Sequence, residues 1–265
     1  MTRRKIGLAL SGGGARGFAH VGVVKVLAEN KIPIDLIAGT SIGSVVGGAL
    51  AAGMSASEVE AMAHSIRWRD LTRPSFSPIA LLSNEPMGKF IHRKFPVHRF
   101  EDLKIPFAAV AVDLREPECV VLKERGDLVH AIRASCAVPA VFAPVREDSG
   151  RILVDGGVMA PLPIDAVKEM GADVVIAVDL LSSGSTFNRA PSTALGMMIS
   201  SAMVLLRAAS NSQEHKADVL IIPEIAHIRP DRLGQARDCQ QLGEKAAWAK
   251  IEEIKKLVSD TQHQP

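Results

Sequence analysis

The segment 39–43 places a serine in a setting suited to nucleophilic catalysis. It reads Gly-Thr-Ser-Ile-Gly and matches G-x-S-x-G, with Ser41 at its centre. An apolar run precedes it and a small-residue helical pattern follows, which is the strand–turn–helix context of a nucleophile elbow. Gly39 and Gly43 would let the strand and helix approach, and the Ile42 amide would point from a helix N-terminus at developing negative charge. The alternative is a glycine-tolerant turn with an incidental serine.

A glycine-rich segment at 12–17 follows the first apolar run and satisfies G-x-G-x-x-G. A dinucleotide loop would also need an acidic residue about 20 positions on, at the end of the next strand, but that strand ends in the 39–43 turn. No Gly-Lys-Ser/Thr follows the glycines, so a P-loop is excluded. We therefore predict that backbone amides here face a substrate oxyanion, with Gly13 and Gly14 as the best donors. Arg16 would either pair with a carboxylate or the substrate's anionic group, or be solvated.

A serine nucleophile needs a base, and the sequence offers an aspartate. Asp155 follows the apolar strand 151–154 and precedes Gly156 and Gly157, which let another backbone approach. Open α/β sheets bind ligands at the carboxyl ends of their strands, so Asp155 is well placed; its alternative role is a turn cap. No histidine has a comparable position among the eight in the chain, and each is expected to be a surface or capping residue.

The elements that position these residues alternate between strand and helix. Two successive strand–turn–helix units at the start of the chain predict a parallel sheet covered on both faces. The segment 69–100 breaks this pattern with four prolines, and we expect an irregular, partly helical excursion there. The later patterns predict strands at 106–113, 119–123, 151–154, 173–180 and 218–222, and helices at 127–136, 165–170, 194–215 and 244–258.

The composition fits one large α/β domain. The chain has 265 residues, of which 47% are hydrophobic and 23% charged, and a formal net charge of +2 that indicates no nucleic-acid partner. Its three cysteines include no close pair, which argues against a disulfide framework or a zinc site and favours a reducing compartment. We find neither the apolar core of a signal peptide nor a membrane-spanning apolar run, so a cytoplasmic location is expected. No metal and no cofactor are predicted.

Taken together, the motifs resemble those of the patatin-like phospholipases. The segments 11–17, 39–43 and 155–157 occur in the family's order, and 131–139 resembles the family's segment before the aspartate. The resemblance covers the chain from Lys5 to about Leu180. It implies a three-layer α/β/α fold with a central, mostly parallel sheet. We expect a catalytic domain over 5–222 and a C-terminal helical extension over 223–265 packed on it.

The resemblance also implies an activity, the hydrolysis of acyl esters in lipid degradation by a Ser–Asp dyad. Ser41 would be the nucleophile and Asp155 the general base. The oxyanion hole would comprise Gly12, Gly13, Gly14, Arg16 and the Ile42 amide. The remaining motif residues would be Gly17, Gly39, Gly43, Gly156 and Gly157. The partners implied are a lipid or small ester and, transiently, the inner face of the membrane. Ala160 departs from the asparagine expected there, which puts one local hydrogen bond in doubt.

Two other functions stay open. Acyl transfer from a thioester would need a histidine near the serine, and His130 is the one residue we can offer. A non-catalytic regulatory module of the same fold would be expected to lack Ser41 or Asp155.

The wall of the acyl site has two candidates. One is the excursion, through the apolar residues Phe76, Ile79, Leu81, Leu82, Met87 and Phe90. These residues would otherwise simply pack on the sheet. The other is the Met-rich helix, through Met197, Met198 and Met203. Basic residues of the excursion would face lipid phosphates or form a solvated surface, and they are Arg93, Lys94, His98 and Arg99.

Overall fold

A computed structural model of the chain describes residues 4–183 and 193–262. Its strands β1 to β11 are Ile6–Leu10, Leu36–Thr40, Arg73–Pro74, Ala80–Ser83, Phe107–Asp113, Glu118–Lys123, Ala140–Phe142, Val145–Arg146, Ile152–Asp155, Val174–Val178 and Val219–Ile221. Its helices α1 to α10 are Phe18–Glu29, Ile42–Ala51, Ala56–Ser65, Trp68–Leu71, Glu85–Lys94, Leu128–Ser135, Ile164–Glu169, Ala194–Glu214, Ala236–Trp248 and Ile251–Gln262.

The central sheet has eight strands and is mostly parallel. Its order is β11-β10-β1-β2-β5-β9-β8, with β6 also paired to β5. The pairs from β11 to β5 are parallel, and the pairs that β6, β8 and β9 form are antiparallel. Five parallel strands therefore end at one edge, where β1 and β2 lead into the two glycine-rich turns.

Alternation along the strands builds a core on each face of the sheet. In β1, Leu8 and Leu10 belong to a core shared with α1, α2 and α9, whereas Ala9 belongs to a second core with α7. Gly7 lets α7 lie close, since a Cβ there would stand 2.7 Å from a Val167 methyl. Helices thus cover both faces, and the expected mixed α/β, three-layer fold class is confirmed.

Most predicted elements occur within one or two residues of their expected bounds, but the C-terminal prediction is wrong. In place of one helix at 244–258, the structure has α9 and α10. The sequence pattern does not indicate the start of α9, because the face of α9 that packs on α1 includes a glycine in place of a large apolar residue. A Cβ on Gly243 would lie 2.1 Å from the Ala19 carbonyl oxygen. The close packing of α9 on α1 depends on that glycine and on Gly22, whose Cβ would lie 2.1 Å from the Gln240 carbonyl oxygen.

The excursion is more regular than expected. Its strands β3 and β4 pair antiparallel, and β4 pairs in parallel with β7 to form a separate three-stranded sheet. The sequence also predicts a serine-rich surface loop at 182–193, which lies almost wholly outside the described residues. Within the ranges that are described, no helix has both the length and the apolar character needed to cross a bilayer.

Candidate active site

Ser41 occupies a strained turn between β2 and α2. Its φ of 53° and ψ of −126° place a non-glycine residue in a region that L-residues rarely adopt. A Cβ at Gly39 would lie 2.5 Å from the Gly43 carbonyl oxygen, and one at Gly43 would lie 2.2 Å from the Leu10 carbonyl oxygen. The two motif glycines therefore allow β1, β2 and α2 to meet closely enough to form the elbow.

Hydrogen bonds that involve side-chain hydroxyl groups hold this elbow. The Ser41 N–H donates to the Ser135 hydroxyl at 2.9 Å, and the Ser44 hydroxyl donates to the Ser41 carbonyl at 2.6 Å. The Thr40 hydroxyl donates to the Ala160 carbonyl at 2.8 Å, which ties the elbow to the turn after Asp155. Ser135 lies in the 131–139 segment, but its position in the sequence gave no sign of this contact.

Asp155 ends β9 with its side chain buried. Its Oδ1 accepts a hydrogen bond of 2.7 Å from the Gly157 N–H. Its Oδ2 is buried and has no hydrogen-bond partner among the described residues. Burial raises the pKa of Asp155 to about 6, although the nearby Ser41 hydroxyl and the Gly157 amide act to lower it. Desolvation therefore makes this carboxylate a stronger base than an exposed aspartate.

The glycine loop approaches Ser41 from β1. Gly12 packs against Ser41, but its N–H donates to the Pro161 carbonyl at 2.9 Å, so the prediction that it is an oxyanion donor is wrong. The N–H groups of Gly13, Gly14 and Ile42 donate to no group in the described ranges, and all three residues line the same cavity as Ser41. These three amides are the available donors.

Arg16 does not face this cavity. Its side chain is buried, and its guanidinium donates to the carbonyl oxygens of Ile228 at 2.8 Å, Ala226 at 3.3 Å and Leu180 at 3.4 Å. Its N–H donates to the Gly13 carbonyl. The predictions that Arg16 contributes to the oxyanion hole or is solvated are therefore wrong. Its hydrogen bonds connect the glycine loop to the segment 226–228.

The motif glycines Gly17 and Gly156 serve packing. A Cβ at Gly17 would stand 2.1 Å from the Ile42 side chain, and a Cβ at Gly156 would stand 2.3 Å from the Val110 carbonyl oxygen. Each would push apart elements that carry the serine or the aspartate.

The histidines of the described ranges lie outside the cavity that holds Ser41. His20 is fully buried, which overturns its expected surface position, and its Nε2 lies 2.8 Å from the Ser11 carbonyl oxygen. Burial lowers the pKa of His20 to about 4, so the ring is neutral at pH 7 and its Nε2 donates. His130 contacts Glu147 at 3.1 Å.

Ser41 and Asp155 share a cavity of about 430 Å³ with predominantly apolar walls. The excursion supplies Leu82 and Met87, and α8 supplies Met203 and Leu206. The predicted acyl-wall residue Phe90 instead packs in the main core. Other predicted wall residues are exposed to solvent, and they are Phe76, Ile79, Leu81, Met197 and Met198.

Cys136 is a cavity residue that sequence reasoning did not identify. Its Sγ lies 3.9 Å from the Ser44 Oγ, and it lines the cavity beside Ser41. Burial, together with the nearby Asp155 carboxylate, raises the pKa of the Cys136 thiol far above its usual range. The thiol stays protonated at neutral pH and is a poor nucleophile.

Comparisons with known proteins identify a family for this chain. The family model of the patatin-like phospholipases matches residues 8–168. An uncharacterized NTE family protein of Mycobacterium tuberculosis is 42% identical over 182 residues, which cover 68% of this chain and 50% of that protein. Patatin-like phospholipase domain-containing protein 6 of Homo sapiens is 36% identical over 198 residues, which cover 70% of this chain and 14% of that protein.

The fold is also found in a solved structure. VipD from Legionella pneumophila superposes with a TM-score of 0.56 at 12% identity, over 96% of this chain and 67% of that chain. This similarity concerns the fold. The chain spans half the length of the mycobacterial relative and a much smaller part of the human one.

Proposed function

The chain belongs to the patatin-like phospholipase family, and we propose that it hydrolyses carboxylic esters of lipids with a Ser41–Asp155 dyad. One observation carries the proposal. A single apolar cavity holds a serine on a strained elbow, a buried carboxylate with an unpartnered oxygen, and amides of the glycine loop and α2 that are available as donors. Each group has a separate role in acyl transfer to a serine.

In the proposed mechanism, Asp155 accepts the hydroxyl proton of Ser41 while the Ser41 Oγ attacks the ester carbonyl carbon. The oxyanion of the tetrahedral intermediate accepts hydrogen bonds from the Gly13, Gly14 and Ile42 amides. Collapse expels the alcohol, which takes the proton from Asp155 and leaves an acyl group on Ser41. Asp155 then deprotonates a water molecule that attacks the acyl-enzyme. Collapse of this second tetrahedral intermediate breaks the bond between the acyl group and the Ser41 Oγ, Asp155 returns the proton to that oxygen, and the fatty acid leaves.

The cavity walls favour an apolar acyl group. Leu82, Met87, Met203 and Leu206 surround the space next to the dyad. Burial of each methylene of a chain against such side chains contributes about 0.8 kcal/mol. We therefore place the acyl chain of a lipid ester in this cavity. The cytoplasmic location and the transient contact with a membrane surface stay predictions.

A fluorophosphonate probe tests the proposal. It phosphonylates activated serines, so peptide mapping of the labelled protein should identify Ser41. Ser41→Ala should lose both labelling and hydrolysis of p-nitrophenyl esters while its circular dichroism stays that of the parent. Ser149→Ala, at an exposed turn, is the matched control and should be labelled normally. Labelling that survives in Ser41→Ala would refute the dyad.

A further inference from the structure

A second cavity, which we call the basic groove, lies across α5 from the Ser41–Asp155 cavity. Met87 faces the catalytic cavity, whereas Lys89 and His92 face the groove, because these positions fall on different sides of the helix. The groove has a volume of about 660 Å³. Its cationic lining residues are Lys89, Arg93, Arg99 and Arg133.

The groove has fewer carboxylates than cations, and both carboxylates already interact with other groups. Glu85 and Asp127 are its acidic lining residues. Glu85 forms an ion pair with Arg73, and the Oδ1 of Asp127 accepts a hydrogen bond of 3.0 Å from the His130 N–H. Of the cations, Arg99 pairs with Glu101 outside the groove at 2.9 Å.

The other three cations have no carboxylate partner within hydrogen-bond distance in the described ranges. The side chains of Lys89 and Arg93 form neither a hydrogen bond nor an ion pair there. Arg133 is half-buried, and its Nε and Nη2 share the single amide oxygen of Asn84 at 3.3 Å. Burying a guanidinium against a neutral amide is costly, and burial lowers the pKa of Arg133, although the more distant Glu85 and Asp127 carboxylates act to raise it. An anion in the groove would remove that cost.

Contacts within the protein connect the walls of the groove. The rings of His92 and His98 stack with their centroids 3.9 Å apart, and the His98 Nε2 donates to the His92 carbonyl at 2.8 Å. The Leu128 N–H donates to the His98 carbonyl at 2.9 Å, which joins this turn to the start of α6. Lys89 and Arg93 on α5 and Arg133 on α6 therefore stand on two helices that these contacts connect without a ligand.

We propose that the basic groove binds the phosphate group of a phosphomonoester through Lys89, Arg93 and Arg133. A phosphate offers three acceptor oxygens and up to two negative charges, which suit several converging cations better than a single carboxylate does. The planar fork of Arg93 or Arg133 matches two phosphate oxygens, and Lys89 adds a point charge. The volume leaves space for an organic group attached to the phosphate.

The proposal goes beyond ester hydrolysis, because none of the dyad or oxyanion residues lines the groove. Its test measures binding without an ester substrate. Calorimetry with inorganic phosphate and with glycerol 3-phosphate probes a soluble ligand. Co-sedimentation with phosphatidylcholine vesicles, with and without phosphatidic acid, probes the same group in a bilayer.

The test variant is a double charge reversal, Lys89→Glu with Arg93→Glu. Both side chains are exposed and form no ion pair in the described ranges, so we expect the variant to fold. Losing two charge-assisted contacts and adding repulsion should weaken binding about tenfold or more. The control, Lys168→Glu with Lys256→Glu, changes net charge equally at exposed sites on α7 and α10 and should bind like the parent.

Two outcomes support the proposal and two overturn it. Binding of glycerol 3-phosphate that only the groove variant loses supports a soluble ligand. Binding confined to phosphatidic acid vesicles, again lost only in the groove variant, supports a lipid headgroup. No binding by the parent protein, or equal loss in both double variants, overturns the proposal. Ser41→Ala should bind normally, so failure of the ester-hydrolysis proposal leaves this result intact.

Discussion

The N–H of Ser41 donates a 2.9 Å hydrogen bond to the hydroxyl of Ser135, which lies 94 positions further along the chain. Ser135 is fully buried at the end of α6. A strained elbow persists when surrounding contacts determine its conformation, and this bond is one of those contacts. Ser135 thus positions the nucleophile although it takes no part in the chemistry.

Ser135→Ala should reduce turnover more than substrate binding. The Ser41 N–H would lose its partner in a buried position, at a cost of about 1–3 kcal/mol shared between the fold and the transition state. We expect kcat to fall about tenfold with KM nearly unchanged, because the acyl wall is intact. Steady-state kinetics with one p-nitrophenyl ester measures both constants.

A suitable control is Ser210→Ala, which removes another fully buried serine hydroxyl, one that donates to Asp179 at 2.6 Å. It should lower the free energy of unfolding by a similar amount but leave kcat near that of the parent. Equal loss of kcat in both variants would show that Ser135 acts through general stability alone.

The pH dependence of kcat/KM should follow the ionisation of Asp155. The pKa of this carboxyl is raised to about 6 by burial, and only the ionised form accepts the Ser41 proton. Activity should therefore rise with pH through about 6 and then level off. A pH–rate profile of the free enzyme measures this midpoint. Asp155→Asn keeps the shape of the side chain and should be inactive at every pH; an active variant with the same midpoint would assign the base elsewhere.

The same pKa predicts a stability effect. Asp155 binds its proton more tightly in the folded state than in the unfolded chain, so its contribution to stability is full at low pH and is lost as pH rises through about 6. Removing the charge with Asp155→Asn should raise the free energy of unfolding at pH 8 by up to about 3 kcal/mol. Urea unfolding at pH 8 and at about pH 4 compares the two conditions, and the gain should vanish at the lower pH.

Asp113 provides a control of opposite sign. Hydrogen bonds from the Arg115 and Ile152 N–H groups lower the pKa of its carboxyl, so its contribution is present at neutral pH and lost on acidification. Asp113→Asn should therefore destabilise the protein at pH 8. A stability gain in both variants at pH 8 would point to net charge and not to burial of Asp155.

The sequence was sufficient for the parts of the site that local backbone geometry dictates. A serine between two glycines after an apolar strand predicted the elbow at Ser41, and an aspartate before two glycines predicted the strand end at Asp155. Both are short-range patterns in which glycine is needed because another backbone passes within van der Waals distance. The same reasoning predicted the order of strands and helices that forms the layered sheet.

Partners distant in sequence could not be predicted in this way. Arg16 lies in a local motif, yet its role depends on carbonyl groups at 180, 226 and 228. The Gly12 amide is bound by Pro161, a contact that exists only once β1 and the turn after β9 are neighbours. Cys136 and Ser135 reach the dyad because α6 ends beside it. Residue spacing along the chain does not indicate which distant segments come into contact in the fold.

Gly13→Ala should impair the oxyanion hole. A Cβ at Gly13 would lie 3.0 Å from the Leu180 side chain, so Leu180 or the loop must shift. The Gly13 N–H would then no longer point at the oxyanion. Loss of one donor of this kind lowers kcat by about 100-fold or more. Gly234→Ala is the control, since nothing lies within 4 Å of a Cβ at Gly234. Assays should show a normal rate for the control; a normal rate for Gly13→Ala as well would remove the loop from the oxyanion site.

The last prediction concerns the acyl wall, where the excursion and α8 meet. Leu82 and Met203 line the catalytic cavity from these two elements, whereas Leu81 is 59% exposed and lies outside it. If both elements enclose the acyl chain, each added methylene should raise kcat/KM about fourfold until the cavity is full, from about 0.8 kcal/mol per buried methylene.

Leu82→Asp and Met203→Asp should each flatten this dependence, because an ionised side chain in the wall opposes burial of the chain beside it. Leu81→Asp adds the same charge one position away, on the solvent side, and should keep the parent's dependence. A series of p-nitrophenyl esters from acetate to long chains gives the slope for each protein. A slope lost in Met203→Asp but kept in Leu82→Asp would assign the wall to α8 alone, and the reverse would assign it to the excursion. If kcat/KM rises with chain length in both folded variants as it does in the parent, the acyl chain extends from the dyad along another path. A charged side chain in contact with the acyl chain would weaken that dependence.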